Sequence, residues 1–185
     1  MENKIIERRI KKCLNYLLLF FLFLSCQTAS SEEKDKENLN EVITATFDDW
    51  TQVCNTKTKN CVGVNFPQNS AGTKVARLVL DSVPPSDNKV IAVATVLIPF
   101  DKSIVHLPSG VILQIDQNQA VKEQYHFCDA NGCNIKFLLT QLAIDLMLSG
   151  ANMTIKYKDV REIKKIKIMD VSLLGFQNLY PLISE

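Results

Sequence analysis

The sequence predicts a mainly β fold: an antiparallel β-sandwich of about nine strands with one packed α-helix and a short C-terminal helix. Short apolar or alternating segments rich in β-branched residues recur along the chain, separated by polar turns or prolines. One segment, after Thr140, has helical spacing instead. Four cysteines form two close pairs in sequence, each spanning a polar stretch. These observations together favour two packed antiparallel sheets.

Each predicted strand is bounded by turn residues. Val90–Ile98 is almost entirely apolar and ends at Pro99, as a strand buried on both faces would. Val111–Asp116 has one wholly apolar face and one mixed face, which is typical of a strand with one buried side. The other predicted strands are Asp49–Cys54, Cys61–Phe66, Val75–Val83, Glu123–Cys128, Cys133–Phe137, Met153–Tyr157 and Ile166–Leu173.

Two segments predict helices. Thr140 is a suitable N-cap for the first, and Gly150 stands where a left-handed C-cap would end it. Because strands flank this segment, we expect the helix to pack across a sheet. Its apolar residues are Leu142, Ile144, Leu146, Met147 and Leu148. A last short helix is predicted over Phe176–Tyr180, before Pro181.

Residues 1–25 predict a secretory signal peptide. The apolar run Leu17–Leu24 precedes Ser25 and is too short to span a membrane, which needs about 20 residues. Basic residues precede the run, as in export signals: Lys4, Arg8, Arg9, Lys11 and Lys12. The chain is therefore expected to work outside the cytoplasm, in the bacterial cell envelope, either in the periplasm or at the outer membrane.

The end of this signal resembles the lipobox of bacterial lipoproteins, although Leu24 fills a position usually held by a smaller residue. The resemblance makes Cys26 the lipid attachment site and the membrane a partner through its acyl chains. Each buried methylene of such a chain contributes about 0.8 kcal/mol to anchoring. The alternatives are ordinary cleavage a few residues later or an uncleaved anchor. Gln27 in place of Asp resembles lipoproteins sent to the outer membrane.

Residues 26–46 are rich in Ser, Glu, Lys, Asn and Thr and predict a flexible polar tether, because they bury too little apolar surface to fold. Residues 47–185 then form one domain by length. The chain has 21 Lys and Arg and 20 Asp and Glu, of which residues 1–25 hold 5 basic and 2 acidic residues. From Cys26 onward there are therefore 16 basic and 18 acidic residues, a net charge of −2. So small a net charge argues against nucleic acid as a partner.

The cysteines of the predicted domain are Cys54, Cys61, Cys128 and Cys133. An even number in an exported protein indicates disulfides, with three connectivities possible for four cysteines. Sequence spacing favours the local pairs, Cys54 with Cys61 and Cys128 with Cys133, each across a turn. The same oxidising compartment argues against a zinc site made from Cys128, Cys133 and nearby His126.

No set of residues predicts catalysis, so we expect a protein that is not an enzyme and has no cofactor and no bound metal. His106 and His126 are far apart, and no serine between them lies in a nucleophile-elbow motif. Asp48 and Asp49 are adjacent and would point to opposite faces of a strand. Trp50, the only tryptophan, is expected to fill the core beside the first disulfide.

A basic run near the C-terminus predicts a surface patch. Lys156 and Lys158 share one face of a predicted strand, and Lys165 and Lys167 one face of the next. If these strands pair, the four lysines form a patch suited to an anionic surface such as acidic lipid or sulfated sugar. The alternative is that the lysines protect exposed strands against aggregation.

Several short motifs, in order, resemble the invasion-associated locus B family. Phe47–Cys54 resembles the aromatic, acidic, Trp and Cys opening of the family, and Pro99–Val111 its proline turns before a strand. Cys128 with Gly132-Cys133 corresponds to its second cysteine pair, and Gly175-Phe176 to its C-terminal Gly-Phe. The chain departs from the family pattern at Phe100–Ser103, where a second proline turn is usual.

The resemblance covers residues 47–182 and implies an exported bacterial envelope protein associated with entry into host cells or survival within them. It implies no reaction and carries no catalytic residues. The expected partner is a host component or an envelope protein. The alternative function is that of a periplasm-facing accessory factor in envelope assembly or maintenance. The sequence does not indicate the oligomeric state.

Overall fold

The computed structural model describes residues 40–84 and 89–184, which form two antiparallel sheets and two α-helices. The larger sheet has seven strands in the order β1-β2-β3-β4-β5-β9-β8, and the smaller has four in the order β11-β10-β6-β7. The strands are β1 Glu41–Phe47, β2 Trp50–Asn55, β3 Cys61–Asn65, β4 Arg77–Ser82, β5 Val90–Pro99, β6 Val111–Ile115, β7 Val121–Glu123, β8 Tyr125–Asp129, β9 Gly132–Thr140, β10 Asn152–Lys158 and β11 Ile166–Ser172.

The core lies between the two sheets. Alternate residues of β5 and β9 are buried, and so are alternate residues of β6, β10 and β11. Their side chains belong to one hydrophobic cluster, which joins the inner faces of both sheets. This arrangement confirms the predicted β-sandwich, because each sheet hides one apolar face against the other.

The two helices cover different parts of the molecule. Helix α1, Gln141–Ser149, packs against β9 and buries Ile144 and Met147. Helix α2, Phe176–Ile183, lies over β2 and β3 and buries Phe176, Leu179 and Ile183. Gly63 on β3 makes room for this helix, since an added Cβ would lie 2.5 Å from Leu179 Cδ2. Helix α2 therefore covers the part of the larger sheet that carries β2 and β3.

Eleven strands are present among the described residues, because two segments that were not predicted as strands pair with their neighbours. The first, β1, occupies residues 41–46 of the predicted tether, so the tether boundary at residue 46 is wrong. Its β-branched residues pair with β2 in antiparallel register from Glu41 opposite Asn55 to Phe47 opposite Trp50. The second, β7, has only three residues and pairs with β6.

Other local predictions differ from the structure. Gly150 is extended, at φ −85°, because the Asp116 carboxylate accepts the N–H groups of Ala151 and Asn152 and leads the chain into β10. Helix α2 continues through Pro181, because the burial of Leu179 and Ile183 compensates for the missing N–H. Strand β5 buries one face, and its other face is half-buried rather than buried.

Candidate functional site

Both predicted local disulfides are present. Cys54 is bonded to Cys61 and Cys128 to Cys133, with Cα–Cα distances of 4.0 Å in each case. The partners in each pair lie directly opposite one another in neighbouring antiparallel strands. The four cysteines therefore fasten the two hairpins β2–β3 and β8–β9, and they are not arranged around a common centre.

Trp50 lies at a junction between the start and the end of the domain. It is fully buried, its Nε1–H donates to the Ser172 carbonyl at 2.9 Å, and its ring centroid lies 5.1 Å from that of Phe176. Gly175 adopts φ +85°, and an added Cβ there would lie 2.1 Å from the Phe47 carbonyl oxygen. The predicted core role of Trp50 is confirmed, and this junction is structural. Asp48 and Asp49 are both exposed beside it.

The two histidines have different neighbours. His106 Nδ1 shares a hydrogen bond of 2.8 Å with Ser109 Oγ across a short 3-10 turn. No motif in the sequence indicates that these two side chains pair. Within residues 40–84 and 89–184, no carboxylate is bonded to the His106 ring to orient it as a base. His126 packs edge-on against Phe127. The described residues also contain no group of three or more His, Cys, Asp or Glu side chains arranged to bind a metal ion.

The four predicted lysines do not share one face, so the predicted four-lysine patch is wrong in its geometry. Lys158 lies opposite Ile166 and Lys156 opposite Ile168, whereas Lys167 lies opposite the buried Tyr157. Lys165 precedes β11 and lies in a turn. Lys165 and Lys167 both form ion pairs with Glu162, which hold the pKa of that carboxyl at about 2. The prediction was wrong because β10 and β11 pair in a register that places Lys167 opposite Tyr157 and not opposite Lys156 or Lys158. A difference of one residue in register places a side chain on the other face of the sheet.

The outer face of the smaller sheet carries a different pattern, in which lysine and isoleucine alternate. One row across the four strands reads Lys122, Ile112, Lys156 and Ile168 in register. Beside it on the same face, Lys158 lies opposite Ile166. The exposed fractions of Ile112, Ile168 and Ile166 are 37%, 46% and 59%. We call these six residues the basic-apolar face.

Two loops continue this face at the end of β10, and a buried carboxylate holds them together. Asp159 accepts hydrogen bonds from Ser103 Oγ at 2.7 Å and from Arg161 Nε at 2.9 Å. Bonds from the Arg161 guanidinium hold the pKa of Asp159 well below its usual range, although burial opposes this shift. The Val160 N–H also donates to the Ile104 carbonyl at 2.8 Å. The loops carry four exposed apolar side chains, Ile104, Leu107, Val160 and Ile163.

A cavity of about 460 Å³ lies beside α1, between the end of β9 and the strands β6 and β7. Its lining is mostly apolar and includes Leu113, Ile115, Phe137 and Leu146. Asn118, Gln119, Glu123 and Thr140 are its polar lining residues. The cavity therefore suits an apolar group better than a charged substrate. No local sequence pattern indicates the cavity, because its walls come from segments distant in sequence.

The predicted signal peptide and the lipid attachment site at Cys26 lie outside the described residues. Among residues 40–84 and 89–184, no helix has both the length and the apolar character needed to cross a membrane.

Comparisons with known proteins agree with the architecture. The family described as Invasion associated locus B (IalB) protein matches residues 50–182. The crystal structure of invasion associated protein B from Bartonella henselae is similar, with a TM-score of 0.63 and 17% sequence identity over 77% of this chain and 96% of that chain. At this identity, the structural likeness shows the fold alone. No curated protein is similar enough in sequence to count as a match. Because the family match covers most of its length, the chain belongs to the invasion-associated locus B family.

Proposed function

We propose that this protein is an exported, non-enzymatic component of the bacterial envelope that contributes to host-cell invasion or interaction by surface contact. The family match over residues 50–182 is the observation that carries this proposal. The basic run and short apolar segment before Cys26 support export, and the lipobox resemblance supports acylation of Cys26. Acylation would hold the sandwich at a membrane through the segment before β1.

The arrangement of side chains supports a binding role over an enzymatic one. The His106–Ser109 pair has no orienting carboxylate among the described residues, so it differs from an activated nucleophile. Asp159, the buried carboxylate between the loops, is bonded to Ser103 and Arg161 and serves to fix their conformation. Exposed apolar side chains grouped on one sheet face and on the loops beside it are features of a contact surface.

Protease treatment of intact cells tests where the domain acts. Cleavage of the domain on intact cells supports display on the cell surface, where a host component is within reach. Protection that is lost only after the outer membrane is permeabilised contradicts surface display and favours the accessory role in envelope assembly or maintenance. A periplasmic protein of the same cells serves as the control for membrane integrity.

Mass spectrometry of the mature N-terminus tests the anchor separately. We expect a peptide that begins at Cys26 and carries the added mass of acyl chains. An unmodified N-terminus at a later residue would contradict acylation and leave the export prediction intact.

A further inference from the structure

We propose that the basic-apolar face, together with the two loops held by Asp159, binds the surface of an anionic lipid membrane. This inference rests on the proposed envelope function and names the partner of its contact surface. It does not depend on the acyl chain, because the face consists of side chains of the folded domain.

The lysines of the face are free to meet an anion. Lys156 Nζ donates only to the neutral Gln114 side chain, at 3.3 Å, and neither Lys122 nor Lys158 forms an ion pair within the described parts of the chain. Two nearby carboxylates are engaged elsewhere, since Asp159 is bonded to Arg161 and Glu162 to Lys165 and Lys167. Asp170 lies on the same sheet face, two positions beyond Ile168, and accepts a hydrogen bond from Thr154 Oγ1. The three lysines of the basic-apolar face outnumber Asp170, the one carboxylate among the described strand residues of that sheet face, so the face keeps a net positive charge.

The apolar residues lie where a membrane interface would accept them. Ile112 lies between Lys156 and Lys122, about 5 Å from each neighbouring strand. Ile168 and Ile166 lie on the edge strand β11 beside Lys156 and Lys158, about 7 Å apart along the strand. At one end of the sheet, Ile104, Leu107, Val160 and Ile163 are each 43% to 47% exposed. Apolar side chains in the headgroup region combined with lysines at the phosphates are the two contributions that bind proteins to anionic membranes.

This composition favours lipid over other anionic or apolar partners. Protein interfaces are enriched in aromatic residues and arginine and depleted in lysine, whereas the six residues of the face are three lysines and three isoleucines. A sulfated polysaccharide would contact the lysines, but exposed isoleucines would contribute nothing to its binding. A membrane surface uses both residue types.

Vesicle binding by the folded, exported chain tests the proposal. The chain carries Cys26→Ser and is exported behind a cleaved, non-lipoprotein signal, so that no acyl chain contributes. Cosedimentation compares vesicles of phosphatidylglycerol and phosphatidylcholine with vesicles of phosphatidylcholine alone. We expect binding to the anionic vesicles only, weakened about 10- to 30-fold by Lys156→Gln with Lys158→Gln and about 10-fold or more by Ile166→Ser with Ile168→Ser. High salt should abolish the lysine effect.

The matched control lies on the outer face of the larger sheet. Lys136 lies opposite Thr95 and the exposed Leu138 opposite Val93, so Lys136→Gln with Leu138→Ser removes one residue of each type without touching the proposed surface. This control should bind vesicles as the parent chain does. If either double variant unfolds in urea more readily than the parent, Lys122→Gln on strand β7 tests the lysine contribution separately. It should weaken binding to the anionic vesicles.

Three outcomes would overturn the proposal: equal binding to neutral vesicles, parent-like binding by both face variants, or an equal loss in the control. Binding to heparin that needs the lysines but not the isoleucines, without vesicle binding, would instead assign the face to a polysaccharide. Failure here with an acylated Cys26 would refute the membrane face and leave the proposed envelope function standing.

Discussion

The Trp50 junction and the basic-apolar face differ in what their side chains touch. At the junction, Trp50 and Phe176 are fully buried and the indole N–H is bonded to a carbonyl. On the face, the isoleucines are exposed, and the lysines form no ion pair with any residue of 40–84 or 89–184. The junction contains residues of the motifs through which the sequence resembles its family. The six residues of the face are not in those motifs, although the adjoining loop residues Ile104 and Leu107 lie within Pro99–Val111. The motifs at the junction therefore identify residues that hold this fold together, whereas the six residues of the face have to be found from register and exposure.

Gly175→Ala should have the largest effect on stability. The substitution adds a Cβ 2.1 Å from the Phe47 carbonyl oxygen in a backbone at φ +85°. We expect a loss of about 4 kcal/mol in the free energy of unfolding, measured in urea through Trp50 fluorescence. Gly72→Ala is the matched control, because Gly72 has φ +74° but its nearest atom would be 3.8 Å away. It should cost only about 1 kcal/mol, and equal losses would contradict steric crowding at Gly175.

Trp50→Phe should destabilise the domain by about 3 kcal/mol. The substitution removes the bond to the Ser172 carbonyl and part of the contact with Phe176, and it leaves a cavity in the core. Urea unfolding followed by circular dichroism measures the loss. Phe100→Leu, at an exposed aromatic ring, should change stability by less than about 0.5 kcal/mol. A similar small change for Trp50→Phe would show that the junction is not a stability determinant.

Asp159→Asn should cost about 2 kcal/mol at neutral pH, because it leaves Ser103 and Arg161 without their charged partner. The pKa of Asp159 is lowered in the folded state relative to the usual 3.8. The unfolded chain therefore takes up the proton more readily, so the stabilisation is present above about pH 4 and lost as pH falls below it. Urea unfolding from pH 7 to pH 2.5 should show the parent and variant converging.

Glu162→Gln is the control for the Asp159 variant, because it removes ion pairs of a solvent-exposed carboxylate. Urea unfolding at low and high salt measures its effect on stability. The lysines at positions 165 and 167 lower the pKa of Glu162 to about 2, but this carboxyl is exposed to solvent. Added salt should screen any effect of that substitution and leave the Asp159 effect largely unchanged. A salt-sensitive loss at Asp159 would contradict its buried role.

Short-range signals in the sequence were sufficient for much of the fold. Runs such as Val90–Ile98 predicted strands, and two cysteine pairs across polar stretches predicted local disulfides that the structure contains. The predicted tether boundary at residue 46 was wrong because residues 41–46 form strand β1 and pair with β2. The polar composition of this segment does not reveal that pairing. The predicted helix end before Pro181 was also wrong. The burial of Leu179 and Ile183 stabilises the helix by more than the one backbone hydrogen bond that Pro181 cannot form.

The residues of the proposed contact surface were harder to predict from the sequence than the strands were. The basic run was visible, but its division between two faces depends on a register in which Tyr157 opposes Lys167. Ile112 and Lys122 join the face from strands more than 30 positions earlier in the chain, through pairing of β10 with β6 and of β6 with β7. Nothing local in the sequence indicates which distant strands become neighbours.

Amide hydrogen exchange of the folded chain, with and without phosphatidylglycerol vesicles, tests most directly whether the two regions have separate roles. The chain again carries Cys26→Ser. We predict slower exchange on vesicle binding in residues 104–112 and 158–168, with no change in residues 47–52 and 172–180. Protection at the Trp50 junction, or in the larger sheet instead of the smaller one, would contradict the assignment of contact to the basic-apolar face.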